Sequence, residues 1–158
     1  TYIRFDDEDD VYAVKEMMDS YFNKDFNAWR NKAFLRVEPK KISKITFQYP
    51  DSSYTVVRDS TAWKINNLKA DSSKVESYLN KFRSRDLSEF ADSFTPSSSP
   101  TYEVTMEGQG VTPINIRCWK IENDKWFLSS SLQDSVYFSS QGSLISDLFV
   151  GKNGLLNK

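Results

Sequence analysis

The stretch that decides the fold reads Lys44-Ile45-Thr46-Phe47-Gln48-Tyr49, then Tyr54-Thr55-Val56-Val57-Arg58, then Ala62-Trp63-Lys64-Ile65-Asn66. Large apolar residues alternate with polar ones in each run, which is the period of a β-strand with one buried face. The gaps at residues 50–53 and 59–61 consist of residues that favour turns. The pattern predicts a three-stranded antiparallel meander over residues 42–66.

The second half of the chain repeats this order of elements. Alternating runs at residues 102–107, 114–119 and 125–130, with turns at 108–110 and 122–124, predict a second meander over residues 101–130. Val11-Tyr12 and Val136-Tyr137 each follow polar residues and precede an amphipathic stretch. The shared order favours an internal repeat.

Three amphipathic helices are predicted from apolar residues at three- and four-residue steps. The first carries Val14, Met17, Met18, Tyr21, Phe22 and Phe26; the second Val75, Tyr78, Leu79 and Phe82, extended by Leu87 and Phe90; the third Leu144, Ile145, Leu148 and Phe149. Asp71 supplies the N-cap of the second helix, and Gly151 ends the third. The predicted fold class is therefore α+β, with two antiparallel β-meanders as a pseudo-repeat and amphipathic helices packed on the sheet faces.

The 158 residues predict a single compact domain of two similar halves. Residues 1–94 and 101–158 are the halves, and Thr95-Pro96-Ser97-Ser98-Ser99-Pro100 is the connector, because its prolines continue neither a helix nor a central strand. The buried core is predicted to include Phe22, Ile45, Phe47, Trp63, Leu79, Ile116, Trp126, Leu128 and Leu148.

Composition removes several classes of function. The formal net charge is −1 and no basic face is visible, which argues against nucleic acid as a partner. The chain has no histidine, so Ser-His-Asp and Cys-His nucleophile systems and His-ligated zinc are excluded. Cys118 is the single cysteine, and since it shares a strand face with two isoleucines we expect a small core residue rather than a nucleophile.

The acidic run Asp6-Asp7-Glu8-Asp9-Asp10 has part of the spacing of a metal site. Asp6, Glu8 and Asp10 match the first ligand positions of a calcium loop, but Val11 stands where that loop needs glycine and no terminal glutamate follows. The favoured interpretation is a solvated turn, and we expect neither a metal nor another cofactor.

Four residues around the first predicted helix are the candidate binding residues: Tyr12, Asn27, Trp29 and Arg30. Trp and Arg are the types found most often at interface hot spots. The alternative is structural, with Trp29 packed under the sheet and Arg30 bound to the carbonyls at the helix end. No catalytic residue is predicted.

The chain resembles a family catalogued as domain of unknown function 4340. The matching features are Asp10-Val11-Tyr12-Ala13-Val14, Phe26-Asn27-Ala28-Trp29-Arg30, Lys44-Ile45-Thr46-Phe47 with Tyr49-Pro50, Trp63 followed by Ala70-Asp71, and Ser129-Ser130-Ser131 with Val136-Tyr137-Phe138. The resemblance implies a bacterial envelope protein anchored by an N-terminal membrane helix or a lipid, and for some members an association with transporter or surface machinery. It implies no site residues.

We therefore expect a non-enzymatic, extracytoplasmic binding or assembly domain, periplasmic or at the cell surface, with an envelope protein as partner. Because the chain begins at Thr1, we expect a mature or trimmed fragment whose contact with the membrane is only through an anchor outside it. The alternative is a carbohydrate- or small-ligand-binding module, which requires two or more of the four tryptophans to line an open groove. An enzyme that uses carboxylic acids alone is the third hypothesis.

If no metal supports the fold, a chelator leaves the melting temperature of the chain unchanged, since no ligand set is lost from the folded state. Thermal unfolding with and without chelator measures this. A drop of several degrees would contradict the expectation and identify the acidic run as the first place to look for the ion.

Overall fold

The structure is a computed structural model that describes residues 1–60, 62–121 and 125–156, apart from the side chain of Asp19. The chain divides into two units, Thr1–Asn31 and Lys32–Lys158. The predicted turn residues Thr61 and Glu122-Asn123-Asp124 lie outside the described residues. The predicted division into halves at the connector stays a prediction.

The N-terminal unit, Thr1–Asn31, contains only short elements. Strands β1 (Tyr2–Ile3) and β2 (Tyr12–Ala13) pair antiparallel, and helices α1 (Asp19–Phe22) and α2 (Phe26–Trp29) have four residues each. The prediction of one continuous helix was therefore wrong.

Asp25 explains the break between the two helices. Its carboxylate accepts the backbone N–H of Ala28 at 2.8 Å, so it acts as the N-cap of a new helix instead of continuing the first. A single turn cannot hold a long apolar stripe, and Phe22, which the stripe placed in the core, is 66% exposed.

The second unit, Lys32–Lys158, is built on one eight-stranded antiparallel sheet. Its elements are β3 (Ala33–Leu35), β4 (Ile42–Tyr49), β5 (Ser52–Asp59), β6 (Ala62–Ile65), β7 (Leu68–Lys69), α3 (Ser72–Lys81), β8 (Arg85–Asp86), β9 (Tyr102–Gly108), β10 (Ile114–Lys120), β11 (Trp126–Ser130), β12 (Gln133–Ser140), α4 (Gly142–Leu148) and a 3₁₀ turn at Lys152–Gly154. The sheet order is β12-β11-β10-β9-β4-β5-β6-β7.

The strands predicted within residues 42–66 and 101–130 are present and antiparallel, so the largely antiparallel α+β class is confirmed. The first turn is tighter than predicted, because β5 begins at Ser52, paired with Tyr49, and leaves only Pro50 and Asp51 between the strands. The finer prediction, of a pseudo-repeat with helices packed on the faces of each meander, stays a prediction.

Helix α3 begins as predicted and ends early. The carboxylate of Asp71 accepts the N–H of Lys74 at 3.2 Å, which caps the helix. The chain leaves the helix at Phe82, and β8 then pairs with β3, with Arg36 bound to Asp86 at 2.5 Å. This pairing with a distant segment overrides the apolar spacing, so the predicted extension of the helix through Leu87 and Phe90 was wrong.

The pairing of β4 with β9 joins the two sets of strands at the centre of the sheet. In this pairing Ile45 faces Met106 and Phe47 faces Val104. All four side chains are fully buried. The register shifts at the end of this pairing, between Ile42 and Lys44, and there the chain at Lys41 passes directly over Gly108.

One apolar cluster in the second unit contains eight of the nine predicted core residues: Ile45, Phe47, Trp63, Leu79, Ile116, Trp126, Leu128 and Leu148. Those eight predictions are confirmed. Alternation assigned the correct face to the strand residues, and helical spacing did the same for Leu79 and Leu148.

Three tyrosine hydroxyls tie the end of α4 to the sheet and to α3. Tyr49 donates to the carbonyl of Val150 at 2.6 Å, Tyr54 donates to the same oxygen, and Tyr78 donates to the carbonyl of Leu148 at 2.9 Å. Leu148 is the last residue of α4 and Val150 follows its C-cap, so the hydroxyls pair carbonyls that no helical hydrogen bond uses. Burial raises the pKa of all three phenols, which keeps them protonated as donors.

We expect Gly108→Ala to lower the free energy of unfolding by about 2 kcal/mol or more, as overpacking against backbone does. A Cβ at residue 108 would lie 1.9 Å from the carbonyl oxygen of Lys41, which cannot rotate away as a side chain would. Urea unfolding measures the change.

Gly142→Ala is the matched control, because a Cβ at that first position of α4 meets no atom within 4 Å. The control should be neutral or slightly stabilising, since alanine favours helix. Equal effects of the two substitutions would show that Lys41 does not approach Gly108 as described.

Cys118 is fully buried and belongs to the apolar cluster of the second unit, which confirms it as a core residue. Burial raises the pKa of its thiol to about 12, against an opposing hydrogen bond from the backbone of Tyr102. The folded thiol therefore stays protonated at pH values where the unfolded thiol ionises.

We expect the stability difference between the wild type and Cys118→Ala to be constant below about pH 9 and to shrink between about pH 9 and 12. Within that window each pH unit costs the wild type up to ~1.4 kcal/mol, because only the unfolded state releases the proton. Urea unfolding of both proteins across the range measures the difference, and the tyrosines cancel because both proteins carry them. A difference that stays constant through pH 12 would contradict the burial of the thiol.

Candidate functional site

Exposed apolar side chains are concentrated in the N-terminal unit. Among the described residues thirteen large apolar side chains are exposed, and nine of them belong to this unit. These nine, called here the exposed apolar set, are Tyr2, Phe5, Val11, Tyr12, Met17, Tyr21, Phe22, Phe26 and Trp29. No described side chain of the N-terminal unit is buried, so this unit has no core of its own to place them in.

Two of the four candidate binding residues belong to the exposed apolar set. Trp29 lies in α2 with 59% of its surface exposed. Tyr12 lies in β2, where its hydroxyl donates to Glu8 at 3.0 Å and its ring meets the edge of Phe5 at a centroid distance of 6.1 Å.

The other two candidates, Asn27 and Arg30, are in direct contact. The guanidinium of Arg30 donates to the side-chain oxygen of Asn27 at 3.2 Å and lies 5.7 Å from the ring centre of Phe26. Arg30 therefore covers part of α2 and presents its charge beside two exposed aromatic residues, Phe26 and Trp29. Whether all four candidates contact one partner stays a prediction.

The same unit is acidic. Residues 1–31 contain eight Asp or Glu and four Lys or Arg, while the whole chain has a net charge of only −1. Among the described residues no group of three or more acidic or cysteine side chains is arranged to hold a metal ion. The acidic run is thus a charged surface next to apolar side chains, and the expectation that the fold needs no metal stays open to the chelator test.

Three of the four tryptophans are buried. Trp63, Trp119 and Trp126 are 1%, 6% and 6% exposed, and only Trp29 is open to solvent. The condition set for a stacking site with two exposed tryptophans is therefore not met.

A polar groove on the second unit was missed by sequence reasoning. It has a volume of about 520 Å³ and includes Glu103, Arg117, Ser129 and Tyr137, with Trp119 in its wall. The signal was the register of three consecutive strands, which sets Arg117 opposite both Glu103 and Ser129. Alternation assigns the faces of each strand but does not fix which residues pair across strands.

The described part of the chain includes no helix long and apolar enough to cross a membrane.

Comparisons with known proteins give one match. No curated protein and no solved structure matches the chain. A family described as "Domain of unknown function (DUF4340)" matches residues 1–106, which include the N-terminal unit and strands β3 to β8, whereas the resembling stretches near residues 129–138 lie beyond the match. The match covers about two-thirds of the sequence, and the chain belongs to the DUF4340 family.

Proposed function

We propose that the chain is a binding or assembly domain without catalysis, and that the N-terminal unit is its contact surface for a basic, partly apolar protein of the envelope. The observation that carries this proposal is the exposed apolar set: nine large side chains on 31 residues that bury none of their own. A concentration of exposed apolar side chains in one part of a chain is a mark of interaction sites.

Covering the exposed apolar set is energetically favourable for any partner that fits it. Each Å² of apolar surface removed from water contributes about 25 cal/mol, so a few buried aromatic side chains offset a large part of the entropy lost on association. Trp29 is the strongest anchor, because tryptophan is among the residue types most often found at hot spots and 59% of this side chain is exposed.

Charge decides between possible occupants of this surface. Eight acidic against four basic residues in residues 1–31 give the unit a formal charge of −4. A second copy of the same surface would bring two acidic faces together, which costs free energy in a symmetric dimer. A basic partner gains from the same charges.

The envelope location rests on the family resemblance, which implies an anchored extracytoplasmic protein. The absence of histidine supports a role without acyl-transfer chemistry. The pseudo-repeat also remains part of the proposal, and the sheet order supports it. Each half of the sheet is a set of four consecutive strands, β4 to β7 and β9 to β12; the two sets meet where β4 pairs with β9, and a helix follows each set.

The test places a photo-crosslinking amino acid at Phe26, which is 77% exposed, and at Leu68 in the second unit, which is 53% exposed, as the matched control. We expect a discrete crosslinked protein from position 26 only, in intact cells of the source organism. The purified captured protein should then bind the chain directly, about 30-fold or more weaker with Trp29→Ala, as loss of a hot spot predicts. Added salt should weaken the complex further.

Leu68→Ala should leave the affinity unchanged, and both variants should melt like the wild type because the replaced side chains are exposed. Equal crosslinking from both positions, or an affinity insensitive to Trp29→Ala, would contradict the proposal. A crosslink to a second copy of the chain, or to lipid, would assign the surface to a different occupant and overturn the choice of a basic protein.

A further inference from the structure

The groove on the second unit is bordered by a segment that the sheet holds at both ends. Residues 91–101 cross the sheet face opposite the core at β9–β12. The N–H of Ala91 donates to the carbonyl of Tyr137 at 2.8 Å, and the N–H of Thr101 donates to the carbonyl of Cys118 at 2.7 Å. The segment that contains the predicted connector therefore lies on the sheet as a fixed wall.

Side-chain contacts hold the middle of this wall. The indole N–H of Trp119 donates to the carbonyl of Ser98 at 3.0 Å, and the ring of Phe94 stacks on Phe127 with their centroids 4.2 Å apart. The groove is thus formed before a ligand arrives, and binding would not have to order its walls.

A row of polar side chains crosses the floor of the groove. Arg117 stands opposite Glu103 on one neighbouring strand and opposite Ser129 on the other. The Nε of Arg117 donates to Oε1 of Glu103 at 3.3 Å, and half of the arginine side chain, 51%, stays exposed. A guanidinium has five N–H donors, so this contact orients Arg117 and leaves donors for a ligand.

The charges of the lining favour a neutral ligand. Arg117 is balanced by Glu103, and Asp134 adds a second carboxylate to the groove. An anion would meet two carboxylates for one guanidinium, and a cation would compete with Arg117 for Glu103. A neutral ligand that both donates and accepts hydrogen bonds uses this pair without either cost.

The remaining lining has the two surfaces that a sugar ring requires. Ser129 and Ser135 bring hydroxyl groups, which donate and accept, while Tyr137, Pro96 and Pro100 bring rings to the same lining. Hydroxyl groups lie on the edge of a sugar ring and C–H groups on its faces, so a lining with both polar and ring surfaces matches it. We propose that this groove is a binding site for a neutral saccharide, oriented by the Arg117–Glu103 pair.

The test is a titration of the ¹⁵N-labelled 158-residue chain with maltose, cellobiose and chitobiose, followed by amide NMR. We expect one of these sugars to shift amides of β10, β11 and β12 around the groove, and Arg117→Gln to weaken that sugar by about tenfold or more, the effect of losing hydrogen bonds to a charged donor. Inorganic phosphate serves as the anionic probe and should cause no comparable shift.

Lys44→Gln is the matched control, because Lys44 pairs with Glu107 at 2.7 Å across β4 and β9 but does not line the groove. It should leave the sugar affinity unchanged, which separates a loss of contact from a general effect of breaking a cross-strand ion pair. No groove shift with any of the three sugars, at concentrations well above the millimolar Kd of a weak site, would overturn the proposal. Equal weakening by both substitutions, or shifts caused by phosphate alone, would overturn it as well.

Discussion

The second unit depends on the pairing of β4 with β9. These strands are separated by about sixty residues of chain, yet Ile45 and Phe47 face Met106 and Val104 in the middle of the sheet. The two sets of strands that sequence alternation predicts become one sheet only through this contact. A pairing between strands so far apart has to offset a large loop-closure entropy, and full burial of these side chains supplies the compensation.

Tyrosines on β4 and β5 link the sheet to the segment that follows α4. Phe47 stacks on Tyr54, and the hydroxyls of Tyr49 and Tyr54 meet at the carbonyl of Val150 after α4. Their rings contribute apolar area while their hydroxyls share one backbone carbonyl just beyond the helix. This double use lets an aromatic-rich chain without histidine build its core. Among the described side chains no buried nitrogen or oxygen is left without a hydrogen bond.

Sequence reasoning succeeded where the signal was local. Alternation located Ile45, Trp63 and Leu128 on the buried face, and a capping residue located the start of α3. It failed at the first predicted helix, where the N-cap at Asp25 starts a new turn and Phe22 stays exposed. It also failed after α3, where β8 pairs with the distant strand β3 instead of extending the helix. The candidate binding residues Tyr12 and Trp29 were identifiable from residue type, whereas the Arg117–Glu103 groove required a register between strands.

The second unit is a protected sheet, whereas the N-terminal unit has no core of its own. Hydrogen exchange of the chain alone, measured amide by amide, tests this contrast. Amides in the β4–β9 pairing, such as Ile45 and Met106, should exchange slowest, and amides throughout residues 1–31 should exchange orders of magnitude faster. Protection of residues 1–31 equal to that of β4 and β9 would contradict it, because such protection requires a core that the exposed apolar set does not form.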